Sequence, residues 1–355
     1  MNSGVVALLL FTCIGLGASA SSPVSGPGEW CLVALGDTLP GVVYEEGIAK
    51  GMNPLRNLSA FMAQADVAVA NLEGPLTTRG TRLGGKKFTF RSPPARAEML
   101  RQAGLSVVGL ANNHILDYGP VGLSDTISAL DSAGIQWCGA GDNLAMARKP
   151  AIKLVRGTRV AFLSYNRTFP SQFWARDRRP GTAFADARFL KEDVANARSL
   201  ADRVIVMVHW GREKSYELRD YQVEVAQAAA DAGADLVIGT HPHIPQGIQV
   251  IGRTVIAYSI GDGVFGGSPR RNVASVILRA TFGPDGLRTA EFLPLETSNE
   301  KTSFAPKFQE GKSAGKTLDL VRELSGNLGT KLASAISPEG IPSLRLDVRR
   351  ETPAR

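Results

Sequence analysis

The sequence predicts an α/β protein with mixed sheets, and three observations carry the prediction. Short apolar runs of strand length stop abruptly at polar residues. Helical segments closing on Ala-Gly lead into such runs three times, at Gly104, Gly134 and Gly233. From Thr254 onward, β-like runs follow one another with no helical segment between them, which favours antiparallel pairing.

The chain has 355 residues, 44% of them hydrophobic, enough to bury a large core without covalent staples. The net charge of +7 is mild and spread along the chain, compatible with a polyanionic partner and equally with an ordinary basic protein. Residues 1–20 carry no charged side chain and run apolar into Ala18-Ser19-Ala20. This reads as a secretory signal peptide and implies export to the periplasm or the exterior. The alternative is a membrane anchor, since the run sits at the lower edge of spanning length. A Ser/Pro/Gly linker over 21–29 follows. Of the three cysteines, Cys13 lies in the leader; Cys31 and Cys138 read as buried thiols, although an oxidising compartment would permit a bridge.

The first strand, Cys31 to Asp37, ends in a carboxylate. A helix through Leu55, Leu58 and Phe61 precedes the run Val67-Ala-Val-Ala-Asn71-Leu-Glu73. Residues 86–91 alternate as a short edge strand would. Ser92-Pro93 is expected to open a helix, with serine as N-cap and proline in the first turn; Gly104 closes it before a strand from Val107 to Ala111. Leu123, Ile127 and Leu130 share the face of a helix ending at Gly134, ahead of Ile135 to Cys138. The strand Val160 to Tyr165 precedes a loop in which Arg176, Arg178 and Arg179 are interleaved with Phe169, Phe173 and Trp174. Cations and rings so mixed suit an anionic ligand, and also suit a solvated loop. Val225, Ala226 and Ala229 sit at core spacing on a helix before the strand into His241. Beyond Ser298 the pattern loosens to a helix near Leu318 and a strand near Leu344, and Arg349 to Arg355 reads as disordered.

All four histidines fall at or just beyond strand exits: His114, His209, His241 and His243. Open α/β sheets place their chemistry at the carboxyl ends of strands. A single histidine there is usually a satisfied core residue, but four together with Asp37, Asn71, Glu73, Asn113 and Asp117 form the oxygen and imidazole inventory of a metal site with one or two cations. Asp117 and Asp262 also fit ordinary turn positions, Trp210 fits packing beside a strand end, and Glu213 fits either a supporting role or a solvated loop. No phosphate-binding glycine loop, nucleophile elbow or nucleic-acid motif occurs, so nucleic acid is not an expected partner.

Six motifs in order, Gly36-Asp37, Asn71-Leu72-Glu73-Gly74-Pro75, Ala111-Asn112-Asn113-His114 to Asp117-Tyr118-Gly119, His209-Trp210-Gly211-Arg212-Glu213, Gly239-Thr240-His241-Pro242-His243 and Tyr258-Ser259-Ile260-Gly261, resemble the poly-γ-glutamate capsule biosynthesis proteins of the CapA type. The resemblance runs from Leu32 to Phe265. It implies a metallophosphoesterase-like domain over 30–298, a four-layer α/β/β/α sandwich, with 299–355 as a C-terminal extension. It further implies two divalent cations, Mn, Fe or Zn, held by Asp37, Asn113, His209, His241 and His243, with Glu73 filling or bridging the shell. His114 would act on the leaving group with Asp117 orienting it. Asn71, Arg176, Arg178, Arg179 and Asp262 are candidates for substrate contact. The expected function is metal-dependent hydrolysis in capsule or envelope polymer synthesis, on an anionic polymer or phosphoester and beside the synthesis machinery. The alternative is a non-catalytic accessory protein that binds the polymer. Two departures stand out. Metallophosphoesterases open with Asp-x-His where this chain has Asp37-Thr38-Leu39, and Gly261-Asp262-Gly263 replaces the family's Gly-Asn-Phe, which removes an aromatic and is expected to open the pocket.

Overall fold

The computed structural model describes residues 26, 28–266 and 274–348. The expected leader over 1–20, most of the linker and the terminal 349–355 lie outside the described residues.

In chain order, β1 (Trp30–Thr38) is followed by α1 (Glu45–Ala49), α2 (Ser59–Met62), β2 (Val67–Leu72), α3 (Arg96–Gln102), β3 (Leu105–Gly109), α4 (Gly119–Ala133) and β4 (Gln136–Cys138). Next come β5 (Ala140–Gly141), α5 (Leu144–Arg148), β6 (Ala151–Val155), β7 (Thr158–Asn166), β8 (Gly181–Thr182), α6 (Ala187–Leu200), β9 (Arg203–His209), α7 (Asp220–Asp231) and β10 (Leu236–Thr240). The last third holds β11 (Ile248–Ile251), β12 (Thr254–Ala257), β13 (Asp262–Val264), β14 (Ala274–Gly283), β15 (Gly286–Glu296), α8 (Asn299–Thr302), β16 (Lys307–Phe308), α9 (Gly311–Gly326), β17 (Ala333–Ile336) and β18 (Pro342–Asp347).

Two large sheets form. The first runs β17-β18-β15-β14-β1-β2-β3-β4, with β13 beside β1 and β16 beside β15; the second runs β11-β12-β10-β9-β7-β6. Strands β1 to β4 are mutually parallel, as are β7, β9, β10 and β12. Antiparallel strands flank both parallel cores. Alternation along single strands explains the layering. In β1, Cys31, Val33 and Leu35 face a core shared with Leu100, Leu123 and Leu130 of α3 and α4, whereas Trp30, Leu32 and Ala34 face the second sheet. In β9, Ile205 and Met207 face back toward the first sheet, and Val204, Val206 and Val208 meet Leu190, Val194 and Val225 of α6 and α7. Strands buried on both faces read as continuous apolar runs, which is why the sequence shows them so plainly. The result is the expected α/β/β/α sandwich.

The described C-terminal residues dock closely. β18 pairs with β15, and Leu318, Val321, Leu332 and Leu344 join the core between the sheets. Cys31 and Cys138 are both free and face different cores. Burial pushes the Cys31 thiol up to about 12, so it is inert as a nucleophile. Among the described residues, no helix is long and apolar enough to cross a membrane.

Three local expectations are corrected. The helix expected from Ser92 begins at Arg96, with Ala95 as an N-cap that makes no side-chain bond. Pro94 disfavours the helical region for Pro93, and Ser92 instead pairs with Leu76. Only Ser59–Met62 of the helix expected around Leu58 is helical; Leu55 and Leu58 are buried in the turn ahead of it. Residues 86–91 form no strand, because Lys86 and the Phe90 N–H turn inward to Asp117.

Candidate metal centre

The carboxyl ends of β1, β2, β3, β9 and β10 converge at one sheet edge. Gly36 permits the first step. A Cβ there would lie 1.8 Å from the Gly261 carbonyl oxygen, and this close approach sets Asp262 in register with Asp37. Asp37 is fully buried. Its Oδ1 accepts from Asn71 Nδ2 at 2.7 Å, and its Oδ2 accepts from the His241 backbone N–H at 3.0 Å and lies 3.3 Å from His243 Nδ1. Both His241 and His243 hold left-handed backbone angles, φ 95° and 57°. Such strain costs about 1–3 kcal/mol per residue and persists where the surroundings over-determine it; the bond to Asp37 is one such constraint.

His209 sits at the centre. Its Nε2 lies 2.9 Å from Asn113 Oδ1 and 3.1 Å from His241 Nδ1, and its Nδ1 lies 3.0 Å from Thr240 Oγ1. Asn112 shapes the turn that presents Asn113 and His114, accepting from the backbone N–H groups of His114 and Ile115 and donating to the Leu72 carbonyl. His114 Nδ1 lies 2.6 Å from Asp117 Oδ2, which leaves Nε2 facing Glu73 Oε1 at 3.9 Å. His243 Nδ1 lies 2.8 Å from Asp262 Oδ1.

Glu73 stands out: it is completely buried, and neither carboxylate oxygen has a hydrogen-bond partner. An unpaired buried carboxylate is costly. Burial, with the Asp37 charge added, pushes its pKa well above the usual carboxylate range. Asp37 goes the other way, since hydrogen bonds and charge from His209 and His243 outweigh burial and hold it well below that range. Burial lowers His209, His241 and His114, the last to about 4, while the charges of Asp262 and Glu73 outweigh burial at His243 and raise it. Opposed shifts within one buried cluster mark it as a candidate functional site.

Among the described residues, three donor sets have ligand atoms within 4.8 Å of one another: Glu73 with His209 and His241; Asp37 with Glu73 and His243; and Glu213 with His241 and His243. Glu73 belongs to two of these sets, and neither of its oxygens is engaged in a hydrogen bond. Oxygen and imidazole donors of this kind fit a divalent cation.

Several neighbours were not evident in the sequence. Lys86 Nζ lies 2.6 Å from Asp117 Oδ1 and 3.0 Å from His114 Nδ1, and donates to the Asn113 carbonyl. Phe90 lies tilted over His114 at 4.1 Å, Phe265 stacks on His243 at 4.6 Å, and Phe90 and Phe265 meet edge to face at 5.8 Å. The expected opening at Gly263 is therefore corrected, because Phe265 walls that side two residues later. Only the alternation of Lys86, Phe88 and Phe90 hinted at these groups, and it was read as a strand.

Asn71 has both ends of its amide engaged, with Asp37 and with Asn112, the contacts of a positioning residue. The arginine loop follows β7, which is parallel to β9, and so lies at the same edge as the histidines. Arg176 and Arg178 are exposed; Arg179 donates to the Trp174 carbonyl and pairs with Arg176, contacts internal to the loop. Trp210 is buried and donates to the Tyr258 carbonyl, a packing role.

A buried cluster of carboxylates and imidazoles thus lies at the strand ends of an α/β/β/α sandwich. Residues 31–267 match the family described as bacterial capsule synthesis protein PGA_cap, and the chain belongs to that family. It is 28% identical over 327 residues to the PGA biosynthesis protein CapA of Bacillus subtilis, covering 90% of this chain and 85% of that one. It is 35% identical over 253 residues to a probable polyglutamine synthesis accessory protein of Mycobacterium tuberculosis, covering 66% of each. A solved 5'-nucleotidase precursor from Thermus thermophilus is similar over 86% of this chain and 60% of its own, at 14% identity and a TM-score of 0.48.

Proposed function

We propose that this protein is an exported, metal-dependent hydrolase acting in capsule or envelope polymer biosynthesis, on an anionic polymer or phosphoester and beside the synthesis machinery. The observation that carries the reading is Glu73, a buried carboxylate with two unpaired oxygens ringed by Asp37, His209, His241 and His243. In this reading Asp37, Glu73, Asn113, His209, His241 and His243 hold the cations. A cation bound there supplies electrostatic stabilisation where negative charge builds on substrate oxygens. The protein's own groups do the rest. Asp117 and Lys86 fix the His114 ring, which leaves Nε2, on the Glu73 side, as the atom at which it takes or gives the leaving-group proton. Phe90 and Phe265 limit water access, and Asp262 sets the His243 ring.

The test is the metal content of the purified protein by elemental analysis, beside the His241→Ala/His243→Ala double variant, followed by a screen of phosphoesters and γ-glutamyl polymers. About two equivalents of Mn, Fe or Zn, lost in the variant along with turnover, support the hydrolase. Full turnover by the metal-free protein sinks it.

One observation favours a second reading, an accessory protein that binds the polymer without cleaving it. Leu39 stands where the family fold ordinarily places a histidine, and one relative is named as an accessory protein. Polyglutamate binding that survives metal removal, weakens steeply with salt and falls when Arg176, Arg178 and Arg179 are neutralised would favour it.

A further inference from the structure

Residue 39 offers no donor to the cation that Asp37, Glu73 and His243 can hold, since Leu39 is apolar and buried. We propose that Glu213 compensates for it, supplying a carboxylate donor beside His241 and His243 on the solvent side of that donor set. The inference rests on the metal-centre reading above.

Chain geometry brings Glu213 to the site from the carboxyl end of β9. Trp210, immediately after His209, is locked in the core. Gly211 then turns with φ 89°, its backbone N–H held by the Tyr221 hydroxyl at 2.9 Å. Three residues past Gly211, the Lys214 backbone N–H donates to the Pro242 carbonyl at 2.9 Å, and Lys214 Nζ donates to the His243 carbonyl at 3.2 Å. Residues 211–214 are thus held at one end by Tyr221 of α7 and tied at the other to the His241-Pro242-His243 turn. Glu213 lies inside that bracket, with a carboxylate oxygen within 4.8 Å of ring nitrogens of both histidines.

Two further facts separate this from a solvated rim glutamate. Among the described residues the Glu213 carboxylate makes no hydrogen bond or ion pair, so nothing competes for it. The unpaired oxygens of Glu73 point independently to a cation on the buried side of the same histidines. A hard carboxylate entering from solvent is a reasonable substitute for an imidazole in a shell that is already rich in oxygen and nitrogen. A ligand on an exposed loop also gives the cation a route in.

The experiment titrates metal-free protein with Mn²⁺, following bound metal by equilibrium dialysis and by electron paramagnetic resonance, for the wild type, Glu213→Gln, Glu213→Ala and Glu217→Gln. Glu217 is an exposed carboxylate on the same loop and serves as the control. The expected result is that both Glu213 variants weaken one class of Mn²⁺ site by about tenfold or more and change its spectrum, while Glu217→Gln matches the wild type. Unchanged titrations in both Glu213 variants overturn the assignment and leave the metal centre standing. A wild-type protein that takes up no Mn²⁺ overturns both. Melting temperatures of the metal-free variants should match the wild type, since the removed carboxylate is exposed and unpartnered.

Discussion

Lys86 and Asp117 meet across 31 residues of chain, Nζ to Oδ1 at 2.6 Å, at the base of the His114 ring. Asp117 is buried, and it also accepts from the Phe90 N–H at 2.7 Å, while its carbonyl accepts from the Leu83 N–H at 2.8 Å. One aspartate thus fastens the 83–90 segment over the site and orients the histidine. Lys86→Met removes a charged hydrogen bond from a buried carboxylate and should cost about 1.5–3 kcal/mol, read by urea denaturation. It should also loosen the His114 ring, visible as a shift in its NMR titration. A variant as stable as the wild type, with an unchanged His114 titration, would show that the contact positions nothing.

Proton linkage at the centre has a definite sign. His114, His209 and His241 are lowered on folding, so their contribution is complete above the ordinary value of 6.5 and is lost as pH falls through their folded values. Glu73 and His243 are raised, so theirs is complete below 4.5 and 6.5 and is lost as pH rises through their folded values. Metal-free protein should therefore be most stable near pH 6.5 and weaken on both sides. Cation binding must displace the protons of Glu73 and His243, so it should release protons and tighten with pH. Calorimetry in two buffers of different ionisation enthalpy measures the release; uptake with no proton release would contradict the assignment.

Gly36→Ala should prevent the site from assembling. Its Cβ would meet the Gly261 carbonyl oxygen at 1.8 Å, a backbone atom, with no flexible side chain to yield. A loss of about 3 kcal/mol or more is expected. Gly84→Ala, with nothing within 4 Å, should stay within about 0.5 kcal/mol of the wild type. Thermal unfolding of the pair makes the comparison, and equal melting temperatures would refute the close-approach argument.

Arg279 is 4% exposed and reaches two carboxylates, Glu291 Oε2 at 2.9 Å on the neighbouring strand and Glu339 Oε1 at 2.8 Å in the turn between β17 and β18. It ties the C-terminal strands to the main sheet. Arg279→Met leaves both acids without their cation and should cost about 3 kcal/mol or more, with protease cleavage appearing first near residues 337–340. Wild-type resistance to proteolysis would show that packing of α9 and β18 suffices.

Much of this was legible before the chain was folded. β1, β2, β9 and β10 are buried on both faces, and such strands leave unbroken apolar runs that end where the polar residues begin. Gly104, Gly134 and Gly233 mark helix ends because their backbones need φ of 101°, 72° and 90°. The site motifs were readable for the same reason, since each sits directly on a strand exit. What escaped was carried by segments without periodicity. Lys86 lies in an irregular stretch whose alternation imitated a strand, and Phe265 follows a motif that had lost its aromatic at the usual place. The helix expected at Ser92 failed because a local signal, serine before proline, was overridden by the second proline and by pairing with Leu76.

By itself, then, the sequence determined the class of fold, the family and the inventory of donors, because these depend on periodicity and on residues adjacent in the chain. Only the tertiary structure decided how the donors are shared: that Glu73 stands unpaired between two sets of histidines, that Asp262 reaches His243, that Lys86 closes on Asp117, and that Glu213 is brought back over His241 and His243. These relations join residues tens to hundreds of positions apart. Their distances follow from how two sheets pack and how loops are tied across the edge, which no local pattern encodes.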